Sequence, residues 1–236
     1  MDWSVFCRIV DSLHFANYDG WFAFHNYNEP LYNERLLDEI AVVRERLPQA
    51  KPCIYTNGDR LDAEMHQKLC SLGVRNIRVT LYTSAQKSNK PSFSPIWEWL
   101  TYKDLDKVGN WQESLARQGL ALEVLDECHT QVILPDLSKY YDRGGIISSL
   151  STQARMKPCY LTSNSMAIDY KGHIKMCCNV VEARDDHKAF ILGNAATDEL
   201  MSIWRSDTLE RMRALHLRAQ WASTPICQKC RQEVDP

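Results

Sequence analysis

Apolar positions in the first half of the chain alternate between helical and extended spacing. Helical spacing recurs over residues 3–14, 33–47 and 60–72. Extended patterns lie between them, as apolar runs at 20–24 and 53–55 and as strict alternation over 74–82. This repeated order predicts an α/β fold, with a parallel sheet and helices packed outside it.

The pattern becomes less regular after this segment. Residues 84–100, which contain two prolines, predict a loop, 108–118 a helix and 120–124 a strand. From about residue 147 the chain changes character, and we predict one domain over 1–146 and another over 147–236. In the second domain, runs at 165–169 and 173–177 flank Gly172 as a β-hairpin, and helices follow at 198–205 and 207–218.

Charge and hydropathy narrow the classes of partner. The formal net charge is -2, and Lys and Arg are interspersed with acids, so we expect no nucleic-acid partner. The N-terminus reads Met1-Asp2-Trp3-Ser4, with an acid where a secretory signal carries positive charge. No apolar run approaches the roughly 20 residues of a membrane span. We therefore predict a cytoplasmic protein without a membrane partner.

Nine cysteines are many for a cytoplasmic protein of 236 residues, because that compartment disfavours disulfides. Metal binding is the leading explanation. We interpret the isolated members as small buried apolar residues, namely Cys7, Cys53, Cys70 and Cys128. The other five crowd into the last third of the chain.

Four of these five cysteines have the spacing of a metal site. They follow the order Cys159-x12-Gly172-x4-Cys177 and then Cys227-x2-Cys230. The last pair forms a ligand turn, and glycine permits the hairpin that brings the first pair together. Cys178 is interpreted as a packed neighbour, because adjacent strand residues face opposite ways. By residue type alone, zinc and an iron–sulfur cluster both stay open.

The same motif order resembles the auxiliary-cluster domain of SPASM and twitch radical S-adenosylmethionine proteins. The words between the cysteines agree as well, over 167–178, in Leu192-Gly193-Asn194 and in Ile203-Trp204. The resemblance implies one auxiliary [4Fe-4S] cluster, the twitch arrangement, held by Cys159, Cys177, Cys227 and Cys230. It also implies an incomplete parallel (β/α) barrel of the radical SAM type over 1–146 and a small α+β cysteine-rich twitch/SPASM-like domain over 147–236.

The resemblance further implies an S-adenosyl-L-methionine pocket in the barrel. Asn28-Glu29-Pro30 lies where the family has a Gly-Glu-Pro-like motif that contacts the methionine amino group. Asn57 and Thr80 follow where the family lines that pocket. Taken alone, Asn-Glu-Pro is also typical of the start of a helix, and Thr80 of an ordinary strand hydroxyl.

One family motif is not found in these 236 residues. The radical-generating cluster of the family is held by Cys-x3-Cys-x2-Cys upstream of the first helix, and Cys7 stands alone within a helical pattern. We expect either an upstream segment that this sequence does not carry or a degenerate relative.

Three functions are consistent with these patterns. The first is an enzyme that abstracts hydrogen from a sugar-derived or peptide substrate, with an electron donor such as flavodoxin or ferredoxin, as the resemblance implies. The second is a catalytically incomplete iron–sulfur protein for electron transfer or binding. The third is a zinc-stabilised binding module. The substrate, the oligomeric state and the acid–base residues are not predicted.

Overall fold

The computed structural model describes residues 1–80, 121–125, 128–133, 147 and 154–230. The chain forms two compact units, which we call the sheet unit, Asn17–Leu137, and the cysteine-rich unit, Met1–Ala16 with Ser138–Pro236. The predicted domain boundary at 146/147 falls in a stretch of which only Ile147 is described, and it stays a prediction.

The sheet unit contains a five-stranded sheet. Its strands are β1 (Trp21–Ala23), β2 (Lys51–Thr56), β3 (Asn76–Thr80), β4 (Ala121–Leu125) and β5 (His129–Ile133), in the spatial order β1-β2-β3-β5-β4. The pairs β1–β2, β2–β3 and β3–β5 are parallel. Helices α2 (Leu36–Arg46) and α3 (Ala63–Ser71) connect the first three strands. This arrangement confirms the predicted α/β class.

The last strand pair departs from the predicted repetition. β4 pairs with β5 antiparallel, with Ala121 opposite Ile133, and β5 is not among the strands predicted from sequence. Three residues separate the two strands, which suits a hairpin, whereas a parallel return needs a crossover of about a dozen residues or more. The predicted loop 84–100 and helix 108–118 lie outside the described residues.

The core of the sheet unit lies between the sheet and its helices. Alternate strand residues Ile54, Ile77, Val79 and Val132 are fully buried there. They pack with apolar side chains from α2, α3 and the neighbouring loops, including Leu36, Ile40, Leu61, Leu69 and Val74. Burial of each large side chain contributes about 1.5–3 kcal/mol, which fixes the strands whose carboxyl ends carry the predicted pocket.

Two of the cysteines in this core are bonded to each other. Cys70 of α3 and Cys128 form a disulfide with a Cα–Cα distance of 5.4 Å. The interpretation of both as buried residues is confirmed, at 9% and 2% exposed, whereas the bond between them departs from the expectation that disulfides are disfavoured in this chain. They are 58 residues apart in sequence, and only the packing of α3 against the start of β5 brings them together.

The cysteine-rich unit begins with α1 (Trp3–Phe15), although the predicted first domain includes this helix. Asp2 caps its first turn by accepting a hydrogen bond from the Ser4 amide. Ile9 of α1 packs in one cluster with Ile174, Ala195 and Leu200. The apolar face of α1 is therefore buried in this unit.

A three-stranded antiparallel sheet carries the predicted hairpin. It consists of β6 (Ala167–Ile168), β7 (His173–Lys175) and β8 (Ile191–Asn194). Gly172 at the tip has φ +84°, and a Cβ there would lie 2.8 Å from Asn194 Oδ1. The hairpin and its glycine turn are thus confirmed.

The described part of this unit is completed by the 3-10 helix Asp185–Phe190 and by four α-helices. They are α4 (Leu161–Asn164), α5 (Leu200–Trp204), α6 (Asp207–Leu217) and α7 (Pro225–Lys229). α5 and α6 lie within the two predicted helical segments, whereas α4 and α7 are single short turns that no periodicity marks. In the described ranges of the chain, no helix is long and apolar enough to cross a membrane.

Candidate metal centre and cofactor pocket

The four predicted ligand cysteines line one cavity of the cysteine-rich unit. Cys159 precedes α4, Cys177 follows β7, Cys227 lies in α7 and Cys230 ends it. All four are free of disulfides, and all but the half-buried Cys227 are at most 9% exposed. The fold therefore gathers these four side chains from three separate segments.

Backbone hydrogen bonds hold these segments in place. The Cys159 amide donates to the carbonyl of His216 on α6 at 3.1 Å, and the Cys230 amide donates to the Cys227 carbonyl at 3.1 Å. The Arg155 amide donates to the Gln228 carbonyl of α7 at 2.7 Å. The positions of the cysteines are thus set by main-chain contacts as well as by apolar packing.

The guanidinium of Arg155 lies beside the same cysteines. This side chain is 6% exposed and donates to the carbonyls of Lys157 at 2.8 Å, Pro158 at 2.6 Å and Cys230 at 3.1 Å. The three acceptors belong to the two stretches of chain that carry Cys159 and Cys230. Arg155 therefore ties these stretches together and places a positive charge near the thiols.

Burial disfavours thiolates in this cavity. Burial, followed by the charge of Cys178, raises the pKa of Cys177 well above its ordinary value. Burial and then Cys230 raise the pKa of Cys227 to about 12, while Thr224 and Arg155 act in the opposite direction. Thiolates here need a compensating cation, and metal binding supplies one as it displaces the protons.

The four cavity sulfurs are spaced more widely than the ligands of a single ion. Among the described residues, His66, Cys70 and Cys128 form the one group of three potential ligand atoms that lie within 4.8 Å of one another. No three of the four cavity sulfurs are that close. A tetrahedral zinc site brings its sulfurs to roughly 3.8 Å, given Zn–S bonds of about 2.3 Å. The cavity sulfurs are therefore not gathered as a preformed zinc site, and four thiol donors are also the ligand set of a [4Fe-4S] cluster.

Two further side chains approach the cysteines. Asn179 Nδ2 donates to Cys230 Sγ at 3.5 Å. His216 lines the cavity and is 1% exposed, and within the described structure its Nε2 has no hydrogen-bond partner. Burial, followed by the charge of Arg155, lowers the pKa of His216 to about 4, so the ring is neutral at neutral pH. An unsatisfied buried nitrogen beside four thiols fits a bound group that offers acceptors.

Cys178 has the position expected of a neighbour. It is half-buried and is not part of the cavity wall, whereas Cys177 is. Sequence reasoning missed Arg155, Asn179 and His216. No spacing marks these three residues, because each meets the cysteines only through the fold.

The predicted cofactor pocket is organised around Glu29 in the sheet unit. Glu29 Oε1 accepts from Thr56 Oγ1 at 2.5 Å and from the Leu31 amide at 3.2 Å, and Oε2 accepts from the Asn57 amide at 2.7 Å. The fold thus brings Glu29, Pro30 and Asn57 together at the end of β2. A carboxylate has about four acceptor positions, so Glu29 retains capacity for one more donor.

The other two predicted pocket residues differ in their contacts. Asn28 closes a turn, since its Oδ1 accepts from the Asn26 amide at 2.6 Å and its Nδ2 donates to the Phe24 carbonyl at 3.2 Å. Thr80 ends β3, which pairs in parallel with β2, where Thr56 lies opposite Val79. Thr56 and Thr80 therefore lie at the same edge of the sheet. The cofactor-binding roles of these residues stay predictions.

Three residues that sequence reasoning missed lie on the strands and loop of this edge. His25 Nδ1 accepts from the Tyr55 amide at 3.3 Å, and the two rings stack with centroids 4.1 Å apart. The Arg78 guanidinium lies 5.1 Å from the Tyr55 ring centroid. Burial, followed by the charge of Arg78, lowers the pKa of His25 to about 4. His25 is thus a neutral imidazole at neutral pH.

Comparisons with known proteins agree with this geometry. The SPASM family model, an iron–sulfur cluster-binding domain, matches residues 159–231. The S-adenosyl-L-methionine-dependent 2-deoxy-scyllo-inosamine dehydrogenase of Niallia circulans is 25% identical over 232 residues, which are 98% of this chain and 80% of the relative.

Solved structures show the same fold. The crystal structure of BtrN in complex with AdoMet and 2-DOIA matches with a TM-score of 0.71 and 23% identity, covering 98% of this chain and 80% of BtrN. Native anSMEcpe with bound AdoMet matches with a TM-score of 0.55 and 11% identity, covering 98% of this chain and 80% of that protein.

Together the comparisons confirm the resemblance to radical SAM proteins with a SPASM domain, and with it the fold class. The matched region begins at Cys159 and contains all four cavity cysteines. The iron–sulfur character of this domain is confirmed as well.

Proposed function

We propose that this chain is a radical SAM-type oxidoreductase whose cysteine-rich unit holds one auxiliary [4Fe-4S] cluster through Cys159, Cys177, Cys227 and Cys230. The observation that carries the proposal is that these four cysteines, which come from three segments and form no disulfide, line one cavity. Their spacing beyond that of a zinc site supports the cluster. Bound iron would supply the positive charge that the buried thiolates need.

For the substrate we propose a small, sugar-derived alcohol. The support is the relative from Niallia circulans, a 2-deoxy-scyllo-inosamine dehydrogenase that aligns with 98% of this chain. Native anSMEcpe has been solved with a bound peptide, but it is 11% identical to this chain. A peptide is therefore the less favoured substrate class.

For the sheet unit we propose an S-adenosyl-L-methionine pocket formed by Asn28, Glu29, Pro30, Asn57 and Thr80. Radical SAM chemistry couples reductive cleavage of this cofactor to hydrogen abstraction from a substrate. The role of the protein is to bind and orient. Glu29 holds Thr56 and the Asn57 amide at the end of β2 and has room for an ammonium donor. We further propose a cytoplasmic location and an electron donor such as flavodoxin or ferredoxin.

The metal proposal is tested by anaerobic reconstitution of the full chain with iron and sulfide, and separately with zinc. We expect about four irons and four sulfides per chain and a broad visible absorption band, since four cysteines ligate one [4Fe-4S] cluster. Stoichiometric zinc with no iron uptake, when both metals are offered together, would contradict it.

A second candidate function is a cluster protein that does not itself generate the radical. The favouring observation is that the described lining of the cysteine cavity lies entirely within the cysteine-rich unit, so a cluster site forms there without residues of the sheet unit. The reconstituted chain is incubated with S-adenosylmethionine, dithionite and 2-deoxy-scyllo-inosamine, and 5′-deoxyadenosine and ketone are quantified. Ketone formation supports the enzyme. A stable four-iron protein that forms neither product supports the electron-transfer or binding function.

A further inference from the structure

His216 has a fixed place in the wall of the cysteine cavity. It lies on α6 and lines the cavity together with the four cysteines. Its carbonyl accepts the Cys159 amide at 3.1 Å. The backbone contact that places Cys159 therefore also places the imidazole, which is 1% exposed.

The two ring nitrogens have different surroundings. Nδ1 lies 3.2 Å from the hydroxyl of Thr162, which is itself 1% exposed. Nε2 is buried and has no hydrogen-bond partner in the described part of the chain. If the Thr162 hydroxyl donates to Nδ1, the ring proton resides on Nε2. A buried donor left without an acceptor destabilises the fold, so this site favours an acceptor at Nε2.

The polar side chains that surround the cavity are mostly donors. The Arg155 guanidinium donates to backbone carbonyls, and Asn179 Nδ2 donates to Cys230 Sγ. The rest of the wall is largely apolar, with Leu161, Met176 and Ile226. Acceptors for His216 are therefore to be sought among sulfur atoms, either the cysteine thiolates or the sulfides of a cluster.

We propose that His216 donates its Nε2–H to a sulfur of the auxiliary cluster and thereby raises the reduction potential of that cluster. This inference rests on the proposed function of the site. A hydrogen bond to sulfur stabilises the additional negative charge of the reduced cluster. His216 is thus a positioning residue that tunes an electron acceptor, and Thr162 fixes the tautomer that lets it do so.

The test is an EPR-monitored redox titration of the reconstituted full-length chain. His216→Leu removes the donor, and we expect this variant still to bind about four irons per chain. At a fixed potential the ratio of reduced to oxidised cluster should be at least tenfold lower than in the wild type. For a one-electron couple this corresponds to a reduction potential lower by about 59 mV. His216→Gln, whose amide can replace Nε2–H, should stay near the wild type. His216→Asn has a side chain one methylene shorter than that of Gln, so its amide should fall short of the cluster and its reduction potential should resemble that of His216→Leu. The comparison of the Gln and Asn variants therefore tests the hydrogen bond even if His216→Leu does not fold.

A matched control removes another buried histidine of the same unit. His187 is 0% exposed, accepts the Val181 amide at Nδ1 and is not part of the cavity wall. His187→Leu should leave the reduction potential unchanged. An equal shift in this control would overturn the inference, because the effect would then come from the loss of any buried imidazole.

Iron content and reduction potential together distinguish failure of the His216 hydrogen bond from failure of the cluster proposal. A full iron complement with an unchanged potential in both His216→Leu and His216→Asn overturns the inference and leaves the cluster proposal standing. Loss of iron in His216→Gln and His216→Leu alike would make His216 a ligand and also overturn it. A wild-type chain that takes up no iron overturns both.

Discussion

The two units contain one buried cysteine group each, and the groups differ in how far their polar atoms are satisfied. In the sheet unit, Cys70 and Cys128 are bonded, and His66 beside them pairs its Nε2 with the Thr130 hydroxyl at 3.0 Å. In the cysteine-rich unit, four thiols stay apart and His216 Nε2 has no partner among the described residues. The first group is complete as a crosslink, whereas the second fits a bound group.

The backbone explains this difference. In the sheet unit, packing of α3 against the start of β5 brings two Cα atoms to 5.4 Å, within the range of a disulfide. In the cysteine-rich unit, the main-chain bonds of Cys159 and Cys230 and the three carbonyls held by Arg155 fix separate segments around a cavity. Buried cysteines thus form a crosslink in one unit and line a cavity in the other, according to how the surrounding backbone is held.

The largest expected effect breaks the ligand set itself. Cys177→Ser replaces a buried soft ligand by a poor one, and we expect iron to fall from about four per chain to below about one after reconstitution. Iron analysis and the visible absorption band measure this. The matched control is the adjacent Cys178→Ser, which should retain full iron because Cys178 is not part of the cavity wall. Equal iron loss in both variants would refute the distinction between these cysteines.

The second prediction concerns the disulfide, whose removal should lower stability without changing the iron content. Joint replacement of Cys70 and Cys128 by Ala should lower the free energy of unfolding by about 2–4 kcal/mol under non-reducing conditions, because the bond closes a long loop in the unfolded chain. Urea unfolding with and without reductant measures this. We expect the wild type with reductant to approach the variant and the iron content to stay the same. Iron loss in the double variant would show that the two cysteine groups are not independent.

Of the two cysteine groups, only the one in the cysteine-rich unit could be predicted from the sequence. The proposed ligand cysteines are marked by a local turn, Cys227-x2-Cys230, and by a hairpin whose Gly172 has the positive φ that it requires. The Cys70–Cys128 pair is marked by nothing local, since its partners are 58 residues apart and the bond depends on helix-to-sheet packing.

The same reason explains the missed elements and residues. Helical and strand periods located α1 to α3 and β1 to β4, but β5 follows too closely after β4 to be recognised as a separate strand. Arg155 and His216 act through carbonyls and a cavity assembled from distant segments. Glu29, in contrast, was predicted as a pocket residue because its motif, its order in the chain and a resemblance all agreed, and its cofactor-binding role stays a prediction.

A third effect concerns the pocket in the sheet unit, whose proposed function depends on hydrogen bonds rather than sulfur. Glu29→Gln replaces one acceptor oxygen by an NH₂ group facing the Thr56 hydroxyl or the Asn57 amide. We expect the free energy of unfolding to fall by about 1–2 kcal/mol and the affinity for S-adenosylmethionine to fall at least tenfold. Calorimetric titration of the reconstituted protein measures the binding.

The control for this variant is Glu34→Gln, which changes the same residue type at an exposed position a few residues later. It should alter neither quantity. Unchanged S-adenosylmethionine affinity in Glu29→Gln would remove Glu29 from the pocket while leaving its structural role intact.

The smallest effect concerns pH and a half-buried histidine of the sheet unit. Burial, followed by the charge of Arg78, lowers the pKa of His25 to about 4 in the folded chain. Between pH 4 and its ordinary pKa near 6.5, His25 is therefore protonated in the unfolded chain and neutral in the folded chain. Its contribution to stability is therefore complete above about pH 6.5 and is lost as the pH falls towards 4.

The variant His25→Phe tests this, because it keeps a ring against Tyr55 but cannot titrate. Between about pH 6.5 and 5 the free energy of unfolding of the wild type should fall by about 1 kcal/mol more than that of the variant. Urea unfolding at both pH values measures this, with His14→Gln on the exposed end of α1 as the control. Parallel pH profiles for the wild type and His25→Phe would contradict the lowered pKa of His25 and the neutral imidazole stacked on Tyr55.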